Sequence, residues 1–120
     1  MKDIFSDVLG IDGVHGVIVI SADGDMLLAR FTATYALEED IAGHINWTSF
    51  VKALDNIVDA ELIYDRGRFY VKKIDQKFLI VVMGEYAPIS MVRLNCQVIS
   101  LDRLKSTSKR IGELLRKKIF

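Results

Sequence analysis

Gly13-Val14-His15-Gly16-Val17-Ile18-Val19-Ile20-Ser21-Ala22-Asp23-Gly24 is the stretch whose reading organises the rest of the chain. Residues 17–20 are an unbroken β-branched run, which predicts a strand buried on both faces and hence central in its sheet. Asp23-Gly24 is a turn pair suited to positive φ, and residues 26–31 read as a second strand, so the segment predicts a hairpin.

Downstream, the same signals recur. Residues 62–64, 69–74 and 78–83 read as three strands joined by tight turns at Arg66-Gly67-Arg68 and Asp75-Gln76-Lys77, an antiparallel meander. Phe69 and Val71 fall on one face of their strand, Tyr70 and Lys72 on the other. Phe78-Leu79-Ile80-Val81-Val82-Met83 is a second fully apolar run and predicts a second central strand.

Helical spacing fills the remainder. Ile4, Phe5, Val8 and Leu9 share one face of a short helix over residues 3–9. A longer helix is predicted over residues 40–58, with Trp47, Phe50, Val51, Leu54, Ile57 and Val58 on one arc. Ile41 and Ile45 lie off that arc, one turn apart, and form a second apolar strip that calls for a second surface to cover it. Pro88 suits a first helical position, and from there the chain reads as helical almost to Phe120. Met91, Leu94, Val98 and Leu101 make one stripe of this helix; Ile111, Leu114 and Leu115 make another, beyond the polar residues 105–109. The order is α-β-β-α-β-β-β-α, an α/β chain of the α+β type, and two strands buried on both faces require helices on both sides of the sheet.

The chain has 120 residues, room for one domain, with a core over residues 3–104 and a basic helical extension over 105–120. A hydrophobic fraction of 51% with 27% charged residues predicts a folded chain. Sixteen basic residues balance sixteen acidic ones, so no net charge draws the chain to nucleic acid. The single cysteine, Cys96, allows no intrachain disulfide and fits a reducing cytoplasm. The N-terminus does not lead into a secretory apolar core, and the longest apolar run is too short to span a membrane.

No motif announces chemistry. Residues 10–16 are glycine-spaced but precede a strand, whereas a phosphate-gripping loop follows a strand and opens a helix. His15 and His44 lack spaced zinc-ligand partners; His15 reads as a strand-entry residue, His44 as an exposed or interface position on the second helix. Asp23-Gly24-Asp25 lacks the longer acidic loop of a calcium site. Cys96 sits in an apolar stretch and reads as a small buried hydrophobe. Ser21 and Ser90 lack the surroundings of a nucleophile elbow, and Glu38 and Glu39 suit a helix start. Neither catalytic residues, metal nor cofactor are expected. Seven basic residues between Arg103 and Lys118, against Glu113 alone, suit an acidic protein surface, anionic lipid or nucleic acid, or simply a solvated helix face.

Together, the stretch from Gly13 to Gly24, the short helix before it and the element order after it resemble the roadblock family, which includes roadblock dynein light chains and the bacterial MglB type. The resemblance covers about residues 3–104. It implies a five-stranded antiparallel sheet with helices on both faces, and a homodimer built through the third strand and second helix. Carried over, the dimer interface comprises Ile41, Ile45, Leu62, Ile63 and Tyr64. A third strand left unpaired is an exposed edge that such pairing covers. The resemblance also implies a non-catalytic regulator or scaffold that binds a Ras-like small GTPase and modulates its nucleotide cycle. Its partner-binding positions are His44, Thr48, Lys52 and Asp55. The alternative is an adaptor dimer without GTPase specificity. Arg66 and Arg68 read as surface turn residues.

Overall fold

The two apolar runs lie side by side at the centre of one sheet. A computed structural model describes residues 4–35, 38, 42–54, 57–64 and 67–101. The elements are α1 (Ser6–Leu9), β1 (Val14–Ser21), β2 (Met26–Phe31), a 3-10 turn (Ala33–Tyr35), α2 (Trp47–Ala53), β3 (Asp59–Tyr64), β4 (Gly67–Ile74), β5 (Lys77–Met83) and α3 (Ile89–Gln97). All five strands pair antiparallel in the order β2-β1-β5-β4-β3.

Alternation along the central strands feeds two core layers. Val17 and Val19 of β1, with Leu79, Val81 and Met83 of β5, pack under α1 and α3. Ile18 and Ile20, with Phe78, Ile80 and Val82, pack under α2. Each fully buried side chain of this size contributes roughly 1.5–3 kcal/mol. The runs are therefore uniformly apolar because both faces of the sheet are roofed. On β4, Tyr70 enters the first layer, while Phe69 and Val71 enter the second.

Backbone geometry explains the turns. Gly24 adopts φ +94°, and its N–H donates to Ser21 O at 3.0 Å. Asp75 and Gln76 both take positive φ, 52° and 67°, and close the β4–β5 hairpin in two residues. Gly16 pairs with Phe31, whose ring lies where a Cβ would be, 2.4 Å from that position.

The helices differ from the sequence expectations. Ile4 is exposed, so α1 buries Phe5 and Val8 but not that residue. Within the helix expected over residues 40–58, Ala42 is helical, residues 43–46 are not, and α2 starts afresh at Trp47 because Asn46 caps it: Asn46 Oδ1 accepts the Ser49 N–H at 3.2 Å. Ile45 precedes α2 in a bend and is exposed; Ile41 lies outside the described residues. The third strand begins at Asp59, three residues earlier than expected.

α3 departs furthest. Pro88 is its N-cap rather than its first residue, and Val98 is its C-cap. Of the stripe formed by Met91, Leu94, Val98 and Leu101, only Leu101 is buried; Met91, Leu94 and Val98 face outward. Val92, Cys96 and Ile99 are buried instead. Both sets are apolar at helical spacing, so periodicity did not distinguish them; the small Val92 and Cys96 side chains are the ones seated in the layer with Tyr70. The expected helix over residues 102–120, with its Ile111, Leu114 and Leu115 stripe, lies outside the described residues.

Candidate functional site

β3 ends the sheet, and its outer side has no strand neighbour among the described residues. Its inner side is fully zipped to β4, from Asp59 opposite Lys72 to Tyr64 opposite Gly67. The strand is held by side chains as well as by its ladder. Tyr70 Oη donates to Asp59 Oδ2 at 3.1 Å. Arg68 Nη1 donates to Glu61 Oε2 at 2.9 Å, its Nε and Nη2 donate to Gly84 O at 3.3 and 3.1 Å, and Nη2 also reaches Ala87 O. Arg68 is therefore not the surface turn residue that the sequence suggests. It is a partly buried clamp between the outer strand and the loop entering α3. Arg66 lies outside the described residues.

Burial and hydrogen bonding push the Tyr70 hydroxyl up to about 12: removing water from it is the larger cause, and the bond to Asp59 adds to it. Cys96, fully buried in the same layer, is raised to about 11 by desolvation.

The outer strand exposes apolar surface. Ile63 is 76% exposed, and Val58, just before the strand, is 71% exposed. Leu62 points the other way and packs against the layer under α2. Of the expected interface residues, then, Ile63 and the exposed Ile45 are accessible and Leu62 is half-buried; Tyr64 closes the strand with its backbone paired to Gly67.

The expected partner-binding residues separate. Thr48 and Lys52 are exposed one turn apart on α2, but His44 stands in the turn before it. Thr48 also has a structural role: its hydroxyl donates to Asp23 O at 3.5 Å, and its backbone closes over Gly24, leaving no room there for a Cβ. Asp55 lies outside the described residues. His15 is not a simple strand-entry residue. Its ring stacks on Tyr35 with centroids 3.6 Å apart, and its Nδ1–H donates to Glu38 Oε2 at 3.0 Å. That pair anchors the segment leading to α2 onto β1.

A pocket of about 170 Å³ opens behind that segment, lined by Ile18, Phe31, Ala42, Trp47, Phe69 and Glu38 among others. Trp47 Nε1 donates to Ala42 O at 2.9 Å and its ring meets Phe50 edge-on at 5.3 Å, so the pocket wall is rigid. Its lining is apolar apart from Glu38, which His15 already engages. Periodicity missed it because its walls come from five separate parts of the chain: β1, β2, β4, β5 and the stretch from Glu38 to Trp47. Among the described residues no group of three or more His, Cys, Asp or Glu side chains converges as a metal site. No helix among them is long and apolar enough to cross a membrane.

No protein-family profile matches the sequence, and no curated protein matches it. Solved structures do match in fold. The gliding protein mglB of Thermus thermophilus is 18% identical over 78% of each chain, with a TM-score of 0.53. An MglB with tetrameric arrangement is 20% identical over 92% of this chain and 85% of its own, with a TM-score of 0.54. Myxococcus xanthus MglB is 14% identical over 78% and 80%, with a TM-score of 0.50. The chain has an MglB-like, roadblock-type fold.

Proposed function

We propose that this chain is a non-catalytic, cytoplasmic homodimer that binds a Ras-like small GTPase and modulates its nucleotide cycle. The observation that carries the reading is the fully formed outer strand β3, with exposed Ile63 on one face and Leu62 packed into the layer under α2 on the other, on an MglB-like sheet. A second copy laid antiparallel against β3 satisfies its outer N–H and C=O groups and removes Ile63 and Val58 from water. An MglB in a tetrameric arrangement is a precedent for self-assembly in a protein of this fold.

In such a dimer the two α2 helices lie together and present Thr48 and Lys52, with His44 nearby, to a GTPase. Arg68 is engaged within the chain, so it does not serve as an inserted arginine. The physical route to an effect on the nucleotide cycle is then to order the switch segments of the GTPase, which the γ-phosphate itself holds or releases.

Calorimetric titration of the purified chain against small GTPases loaded with GDP or a non-hydrolysable GTP analogue tests this. The expected result is binding that differs between the two nucleotide states. Absence of binding in both refutes the GTPase reading. Equal binding in both favours an adaptor indifferent to nucleotide.

A further inference from the structure

The pocket of about 170 Å³ between the sheet and the approach to α2 has a floor built from one row across four strands. Phe31 of β2 pairs with Gly16 of β1, Gly16 with Val82 of β5, and Val82 with Phe69 of β4. Gly16 brings no side chain to that row, and the Phe31 ring lies in its place. The opposite walls are Glu38, Ala42, Ile45 and Trp47, where α2 begins. We infer that this pocket binds a small, ring-bearing organic ammonium ion, with the ring among Phe31, Trp47 and Phe69 and the charge at Glu38.

Charge points to that ligand. Glu38 is the only charged residue among the described lining residues, and its side chain is 41% exposed, which puts the carboxylate at the mouth. His15 takes Oε2 alone. A carboxylate offers about four lone-pair sites, so Oε1 remains open to a second donor, and no described residue bonds it. An ammonium group donates there through a charge-assisted hydrogen bond, and aromatic rings attract the same charge. An anion is repelled, and an uncharged ring leaves Oε1 unused.

The carboxylate is also held ready. His15 is the extra residue where β1 slips against β5, between Val14 opposite Met83 and Gly16 opposite Val82. Such a bulge re-aims its side chain. Here the ring stacks on Tyr35 and grips Glu38. A ligand therefore meets a group already ordered, which lowers the cost of binding.

Size limits the ligand to one ring. An engineered protein cavity of about 150 Å³ takes up benzene, so this pocket has room for a six-membered ring with a short arm. A lysine side chain from a partner protein brings the same charge, but its single file of methylenes leaves part of the space empty and forfeits contacts. Glu38 is tied to β1, and β5 and β4 separate β1 from β3. Strand pairing at β3 thus leaves the mouth open, whether or not the chain binds a GTPase.

Trp47 is the only tryptophan in the chain, so its fluorescence and its indole N–H resonance report on this pocket. The test titrates the full chain with benzylamine, benzyl alcohol, benzoate and Nα-acetyl-lysine methylamide. Benzylamine is expected to shift both signals saturably at millimolar concentration, the range for so few atoms. Benzyl alcohol is expected to bind about ten-fold more weakly, and benzoate not at all. Glu38→Gln still accepts from His15 but carries no charge. It is expected to weaken benzylamine about ten-fold and to leave benzyl alcohol unchanged. Trp47 signals that no ligand moves overturn the proposal, as does equal binding of benzylamine and benzyl alcohol. Equal weakening of both by Glu38→Gln also overturns it, because Glu38 then shapes the pocket without binding the charge. Tighter binding of the lysine derivative than of benzylamine assigns the site to a partner's side chain and overturns it too.

Discussion

Arg68 of β4 and Glu61 of β3 are joined at 2.9 Å across the outermost strand pair, and the same guanidinium binds the carbonyls of Gly84 and Ala87. One side chain therefore ties the edge of the sheet to the loop that starts α3. A planar fork is needed for this, because its donors serve three acceptors in different directions.

Arg68→Lys keeps the charge and loses the fork. With most of these charge-assisted bonds gone at a site only 13% exposed, the variant is expected to lose about 2 kcal/mol of stability. Urea denaturation of Arg68→Lys beside Glu61→Gln checks this. If Lys proves as stable as Arg, the fork is not what holds the edge.

Ile63 is exposed on β3, so its replacement costs the single chain little and a dimer much. The proposed dimer requires the unaltered chain to sediment as two copies and Ile63→Glu as one, with a circular dichroism spectrum unchanged. A carboxylate placed in the apolar seam between the two strands is the cause.

Asn46 sets where α2 begins. Asn46→Ala removes the acceptor for the Ser49 N–H and is expected to cost about 1 kcal/mol, while Asn46→Asp retains it. Thermal unfolding of both variants separates loss of the cap from loss of bulk.

Alkaline pH offers a further check. Cys96 is raised to about 11 and Tyr70 to about 12, from ordinary values of 9.0 and 10.0. Both groups are neutral when protonated, and the fold holds their protons more tightly than the unfolded chain does. Above pH 9 the unfolded chain loses the thiol proton while the native one keeps it, so stability falls as pH rises from about 9 to 11; Tyr70 extends the fall from about 10 to 12. Below those windows neither group contributes a slope. Chemical denaturation from pH 8 to 11 is expected to show the decline, and Cys96→Ala to flatten its lower part.

Gly16 lies under the Phe31 ring. Gly16→Ala is expected to displace that ring and destabilise the chain by roughly 1–3 kcal/mol, a strain of overpacking. Gly16→Ala/Phe31→Leu should recover part of the loss, which a double-mutant cycle measures.

The strands were legible in the chain because their signals are local. Two apolar runs, two tight turns and the Asp23-Gly24 pair determine which segments are extended, and a strand buried on both faces tolerates nothing polar at residues 17–20 or 78–83. The β1–β2 and β3–β4–β5 pairings follow from connections too short for crossovers, whereas the placing of β5 against β1 was decided by the fold. Helix extent and facing were not legible in the same way. Asn46 reads equally as an interior residue until its side chain is seen to take the Ser49 N–H. Two apolar arcs overlap on α3, and only the sheet beneath, with Tyr70 filling part of its layer, selects Val92 and Cys96 over Met91 and Leu94. Arg68 is the clearest case: in the chain it is a charge beside a glycine, whereas in the fold three acceptors from distant positions converge on it. Sequence by itself determined the strands, since burial on both faces is written residue by residue. Tertiary structure decided which polar and apolar groups remain for other molecules, since that depends on what each segment lies against.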